Sequence, residues 1–258
     1  MLGLGSNLYN ASVVGGLVFP DQMTGIQLWL RGEDELNFGH ISTMTDTAVE
    51  GEVHWQDSSG NDNHATQTDF NYFPTIMSSG KFMRFSHSDD DHLSFSTISI
   101  PTANGAGAGA YTFCAVVKPA SYSGTQNTIL SADVNDFFEL QSNDQIRLNY
   151  DSGTSVLHPD TNNLFTAGSL YAITITRDTN GAHKLYRNTN LLTLTGTGIL
   201  NLTNTNDGTI DCLGARDKAT PDRGFDGDMY EIVWINGDPD DSVSSLHEYI
   251  EAKFGASF

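Results

Sequence analysis

The stretch Ile173-Thr-Ile-Thr-Arg-Asp178-Thr-Asn180-Gly181-Ala-His-Lys-Leu-Tyr-Arg-Asn188 decides how this chain is read. Two runs alternate apolar and polar residues with a period of two, as a strand with one buried face requires. Asp178-Thr-Asn-Gly181 lies between them, a Gly-containing loop of the hairpin kind. Its Asp and Asn are accounted for by turn chemistry and are not counted as ligands.

The same alternation recurs on both sides. Ile26, Leu28 and Leu30 alternate with Gln27, Trp29 and Arg31, and Ile146, Leu148 and Tyr150 with Gln145, Arg147 and Asn149. Strand-like runs also cover 81–86, 92–96, 111–118, 128–132 and 137–141, separated by turn signals, a spacing that points to a sandwich or barrel. Composition agrees, because Asp outnumbers Glu by 24 to 8 and Asn, Thr and Gly number 20, 26 and 25. Asp and Asn favour turns and Thr favours strands, whereas a helical acidic protein would use Glu. The one strong helix signal spans about 241–254. Val243, Leu246, Ile250 and Phe254 share a face there, Lys253 and Gly255 mark its end, and Asp241, Ser242 or Ser245 is the N-cap.

The formal net charge of the 258 residues is −20, spread as −9 over residues 1–129 and −11 over 130–258. That excludes nucleic acid as a direct partner, since phosphate binding needs clustered Lys and Arg. It argues equally against an anionic membrane surface, and no apolar run is long enough to span a bilayer. Cys114 and Cys212 lie in strand-like runs and read as buried free thiols, with a single bridge left open. Residues 1–24 have neither a basic segment nor a long apolar one, so classical secretion is not expected. They read as an N-terminal arm whose Leu4, Leu8 and Tyr9 would grip neighbouring subunits, followed by one sandwich domain over 25–258.

Three stretches carry a family resemblance: Trp55-Gln-Asp57-Ser-Ser-Gly60-Asn61-Asp-Asn-His64-Ala65, Phe85-Ser-His87-Ser-Asp-Asp-Asp91-His92-Leu93, and Phe225-Asp-Gly227-Asp-Met-Tyr-Glu231-Ile232. Followed by the terminal helix ending Lys253-Phe254-Gly255, they resemble the LamG-like domains of the concanavalin A-like lectin/glucanase superfamily. His87 stands where that pattern has Gly, and His92 where it has an aromatic residue. The resemblance implies an all-β jelly-roll sandwich of two antiparallel sheets with a short C-terminal helix. It also implies rim loops that bind glycans and sometimes Ca²⁺.

Asp57 and Asn61, with Ser59, supply two or three of the oxygens that Ca²⁺ requires, while the same loop also reads as a tight turn capped by Asp57. Asp89, Asp90 and Asp91 read as a solvated turn whose field would raise the pKa of His87 and His92. Asp226, Asp228 and Glu231 are the nearest approach to the paired carboxylates of a glucanase, but strict alternation puts Glu231 on the opposite face from the other two. For glycan stacking, Trp29, Trp55 and Trp234 lie in strand-like runs, with at least two expected in the core. Tyr72, Tyr122 and Tyr150 are the rim candidates, alongside Phe73. The resulting expectation is a non-enzymatic phage virion protein, either a capsid decoration or a lectin-like host-adsorption module. Its partners would be neighbouring virion proteins, further copies of itself and host polysaccharide. The alternative is a secreted or cell-surface carbohydrate-binding module of a microbe, and behind it a glycoside hydrolase.

Overall fold

A computed structural model describes residues 16–32, 44–47, 51–77, 81–100, 109–120, 127–141, 146–150, 153–157, 165–194 and 208–255. Over these residues the chain forms two antiparallel sheets and one α-helix. The first sheet holds β1 (Ile26–Arg31), β5 (Thr75–Met77), β6 (Phe82–Phe85), β8 (Tyr111–Pro119), β13 (Tyr171–Arg177), β14 (His183–Arg187), β15 (Asn190–Leu191) and β17 (Gly227–Asn236). Its order is β15-β14-β13-β8-β17-β6-β5, and β1 shares with β6 one edge of the long strand β17. The second sheet holds β2 (Met44–Thr47), β3 (Glu52–Trp55), β4 (Ala65–Gln67), β7 (Leu93–Ile100), β9 (Asn127–Ser131), β10 (Phe137–Leu140), β11 (Ile146–Tyr150), β12 (Gly153–Leu157) and β16 (Gly208–Leu213). Its order is β12-β11-β10-β9-β16-β7-β4-β3-β2.

The hairpin read first from sequence is β13–β14, in which Ile173 faces Arg187 and Arg177 faces His183. Asp178 closes it by accepting from the backbone of Asn180 and Ala182, at 2.8 and 2.9 Å, and Gly181 takes a positive φ of 85°. Between the sheets lie Leu28, Leu30, Trp55, Phe113, Phe138 and Trp234. A second core lies on the outer face of the first sheet. There Leu246, Tyr249 and Ile250 of the helix α1 (Pro239–Phe254) cover Trp29, Cys114, Val116, Val233 and Ile235. All three tryptophans are buried, so none serves as a surface platform. Cys114 and Cys212 are free and buried, and burial pushes both thiols up to about 12.

Three sequence expectations change here. The helix begins two residues early, because Asp238 accepts from the Asp240 N–H at 3.1 Å and Pro239 occupies the first turn. Residues 17–23, assigned to the arm, pack into the second core through Phe19 and Met23, and the Phe19 ring lies edge-on to Tyr249 at 5.8 Å. Leu4, Leu8 and Tyr9 lie outside the described residues. Finally, strict alternation fails in β17. A bulge between Met229 and Glu231 keeps Met229, Ile232 and Trp234 in the main core while turning both Tyr230 and Glu231 outward.

That bulge places Glu231, fully buried, under the helix. One oxygen accepts from Trp29 Nε1 and from the Tyr249 hydroxyl, both at 2.6 Å, and the other meets Lys253 Nζ at 2.5 Å. Lys253 Nζ also reaches the carbonyl of Gly32 at 3.4 Å. Gly32 marks the point where β1 gives way to β6 along β17, and a Cβ there would stand 1.9 Å from the Lys81 carbonyl oxygen. Both ionised groups are desolvated, so removing one partner strands the other charge. Lys253→Met is therefore expected to cost about 3–5 kcal/mol, measured by urea unfolding, with loss of amide-exchange protection concentrated in α1.

Candidate functional site

The antiparallel registers bring the C-terminal ends of β4, β6, β8, β10, β12 and β16 to one end of the sandwich, where, among the described residues, 68–74, 86–92 and 214–226 connect strands. The first is a short turn, Phe70–Tyr72, held by an unusual density of polar contacts. The Gln67 side-chain carbonyl accepts from the N–H groups of Thr68 and Asp69, each at 3.0 Å. Its amide donates to the His92 carbonyl at 3.2 Å and to His92 Nε2 at 2.9 Å. His92 Nδ1 is 2.9 Å from the carbonyl of Asp90 and must therefore carry the proton, which leaves Nε2 as the acceptor. Asp69 caps the turn by accepting from the backbone and side-chain nitrogens of Asn71 at 3.0 and 2.8 Å. At the crest of this braced turn Phe70 is 78 % exposed.

Tyr72 sits in the turn, half-buried, its ring 5.2 Å from that of His92. His92 thus fills, with its ring tilted against Tyr72, the place where the resembling family has an aromatic residue. Burial holds its pKa below the ordinary range, which overturns the expectation that the Asp cluster would raise it. Both of its ring nitrogens are engaged, so it offers no lone pair to a metal. Tyr150 ends β11 opposite Gly153 of β12, and Tyr122 lies outside the described residues. Sequence reading missed Phe70. Its signal was the flanking Asp69 and Asn71, which make a capped turn and leave the ring between them pointing outward.

The neighbouring loop divides its three aspartates. Asp91 is buried, and its carboxylate accepts from the Ser86 N–H at 2.8 Å; Asp90 takes a left-handed φ of 55°. Burial, reinforced by Asp89 and Asp90, pushes Asp91 from 3.8 up to about 6.

Asp57 and Asn61, read from sequence as calcium ligands, are engaged in the structure by the protein itself. Asp57 is buried, and its two oxygens accept from Trp29 N (2.9 Å), Ser59 N (2.9 Å), Ser59 Oγ (2.7 Å) and Asn63 N (3.0 Å). Asn61 spends its amide on the Ile26 carbonyl at 2.9 Å and on Ser59 Oγ at 3.0 Å. The loop is a polar staple between β1 and β3, in which four protein donors occupy the Asp57 carboxylate. Among the described residues no three His, Cys, Asp or Glu side chains gather as a metal site.

Two of the three carboxylates of the third motif, Asp228 and Glu231, are also committed. The bulge puts Asp228 and Glu231 on the same outer face, against the alternation argument. Glu231 is sealed under α1, and Asp228 forms a fork with Arg84, Nε to Oδ1 at 2.6 Å and Nη2 to Oδ2 at 3.0 Å. The strand registers align Arg84, Asp228 and Lys118 in one row across β6, β17 and β8. Beside this row opens a cleft of about 430 Å³, also lined by Ala120, Gly168 and Asp226. Its floor requires Gly227, whose φ is 144° and whose Cβ would stand 2.4 Å from the Lys118 carbonyl oxygen.

The sequence pattern of Laminin_G_3, of the concanavalin A-like lectin/glucanases superfamily, matches residues 88–238, more than half of the chain. The chain belongs to that family. No curated protein matches it. Among solved structures, this concanavalin A-like domain is similar to Trypanosoma rangeli sialidase, with 12 % identity, a TM-score of 0.54, and coverage of 90 % of this chain and 33 % of the sialidase. It is also similar to the receptor binding domain of a botulinum neurotoxin mosaic of serotype C/D, with 13 % identity, a TM-score of 0.54, and coverage of 90 % and 52 %. At these identities the likeness is one of fold, and the domain spans about a third of the sialidase and half of the toxin chain.

Two measurements check these assignments. Asp57→Ala leaves the buried Trp29 N–H without an acceptor and should cost about 3 kcal/mol, equally in calcium and in chelator. For Asp91 the folded protein holds the proton to higher pH than the unfolded chain, so the residue weakens the fold as pH rises from 3.8 to about 6. Asp91→Asn keeps an acceptor for Ser86 and should remove that slope, raising stability at pH 7 by about 1 kcal/mol or more.

Proposed function

We propose that this domain is a non-catalytic, lectin-like module that binds carbohydrate at the end of the sandwich carrying residues 67–74. The observation that carries the proposal is Phe70, a large apolar ring left 78 % exposed on a turn braced by Gln67, Asp69 and His92. A free aromatic face flanked by planar amide and carboxylate groups suits a sugar, whose ring offers C–H bonds to the aromatic and hydroxyls to the polar rim. Bracing the turn beforehand lowers the ordering cost of binding.

Two features support a role without catalysis. Glycoside hydrolysis requires two carboxyl groups facing each other across the scissile bond, roughly 5–10 Å apart. Glu231 is sealed beneath α1 and Asp228 is held by Arg84, so neither is free for that work. A net charge of −20 suits a domain displayed in many copies on a particle, where like charge opposes clumping. We place it on a phage-type virion, as a capsid decoration or host-adsorption component held to neighbouring virion proteins.

A glycan array probed with the wild-type domain and with Phe70→Ala tests the reading. The wild type should bind polysaccharide, and the variant should bind at least tenfold more weakly with an unchanged melting temperature. Release of reducing sugar by the wild type would contradict the non-catalytic role. Mass spectrometry of purified virions that fails to find the chain would contradict the placement.

A further inference from the structure

The cleft between the ends of β6, β8 and β17 lies apart from Phe70 along the same end of the first sheet, and Thr75 of β5 pairs with Arg84 at its border. Its charges are unevenly partnered. Asp228 gives both oxygens to Arg84, so Lys118, the cross-strand partner of Asp228 on the other side, has no acceptor among the described residues. The Asp226 backbone is held, its N–H donating to Asn127 Oδ1 at 3.0 Å and its carbonyl accepting from Ala120 at 2.7 Å. Among the described residues, the side chains of Lys118 and Asp226 make no hydrogen bond or ion pair. Arg84 is half exposed and uses only two of its five N–H donors on Asp228.

The cleft thus offers one free ammonium, the outer edge of a guanidinium fixed by its fork, and one free carboxylate. Its two basic and two acidic side chains cancel. A polyanion would meet Asp226 and the repulsion of a −20 protein, and a simple cation would meet Lys118 and Arg84. The ligand that suits such a lining is neutral and carries both donors and acceptors at close spacing. Next to the row, Tyr230, two residues beyond Asp228 on the same face, stacks on Phe82 at 4.7 Å.

We propose that this cleft is a second subsite, taking a neutral sugar unit through adjacent hydroxyls, one accepting from Lys118 and Arg84 and the other donating to Asp226. The proposal rests on the reading of the domain as a glycan binder and adds to it the class of glycan. Neutral chains are recognised, uronic acid chains are not, and a bound chain engages Phe70 and the cleft as separate points of contact.

The test titrates the full chain by calorimetry with maltohexaose, cellohexaose, xylohexaose and hexagalacturonate, using the wild type, Lys118→Met, Asp226→Asn and Phe70→Ala. Lys118 and Asp226 hold nothing else in place, so both variants should melt as the wild type does. At least one neutral hexamer should bind the wild type, and each cleft variant should weaken that binding tenfold or more. Hexagalacturonate should bind at least tenfold more weakly than the neutral ligand. Binding of a neutral hexamer that Phe70→Ala weakens but the cleft variants leave untouched would overturn the subsite and leave the glycan-binding role standing. Preference for hexagalacturonate would overturn the ligand class. Failure of every hexamer to bind, together with an empty glycan array, would overturn both.

Discussion

A single carboxylate, Glu231, ties together parts of the chain that are far apart in sequence. It accepts from Trp29 on β1 and from Tyr249 on α1, and it neutralises Lys253 in the last turn of the helix. The bulge at Tyr230 brings it to the outer face, so β17 serves both cores at once: Met229, Ile232 and Trp234 look inward while Val233 and Ile235 look toward the helix. A buried charge of this kind adds little stability over a well-packed apolar substitute, but it makes misplacement costly. With Lys253 on Glu231, the helix has one register on the sheet, and the segment around Phe19 has one surface to cover. The junction of β1 and β6 along β17 is fixed by the same group, because Lys253 also reaches the Gly32 carbonyl.

Fixing that outer face decides where the molecule has surface to offer. Along most of the first sheet the outer face is covered by α1 and residues 17–23. Beyond the helix, where β6 and β8 end and β17 begins, it opens as the row Arg84, Asp228 and Lys118. Around the same end, side chains at the head of each described loop are consumed in holding backbone: Gln67 and Asp69 in one, Asp91 in the next. This is why so many of the chain's carboxylates leave no free chemistry behind. The groups that remain unengaged, Phe70, Lys118 and Asp226, are few and lie on a rigid frame, as suits recognition of a ligand by a site already formed.

The architecture was largely legible in the sequence because one-sided burial imposes a period of two that survives without any tertiary information. The β13–β14 hairpin is the clearest case, with Asp178 and Gly181 doing what their chemistry predicts. The terminal helix was legible by its apolar face, but its cap was misplaced since Pro239 marks a first turn and not a boundary outside it. The bulge in β17 was illegible. Nothing local distinguishes Tyr230 from an ordinary strand residue, and only the partner strand reveals the extra position. Site residues were harder still. Asp57 has the composition of a cation ligand, and only the N–H groups of Trp29 and Asn63, distant or irregular in sequence, show that its oxygens are taken. Tyr72 reads as a rim residue from its polar surroundings, and in the structure those surroundings hold it half-buried against His92 with Phe70 exposed beside it.

Chemical-shift mapping of the backbone amides during titration with a bound polysaccharide fragment tests the central claim most directly, because it reports the place of binding and any turnover together. The account predicts perturbations confined to residues 67–73, 84–92, 118–120 and 226–228, with the fragment's own signals unchanged over time. Perturbations centred on the Asp57 loop, or the growth of new reducing-end signals from the fragment, would contradict it.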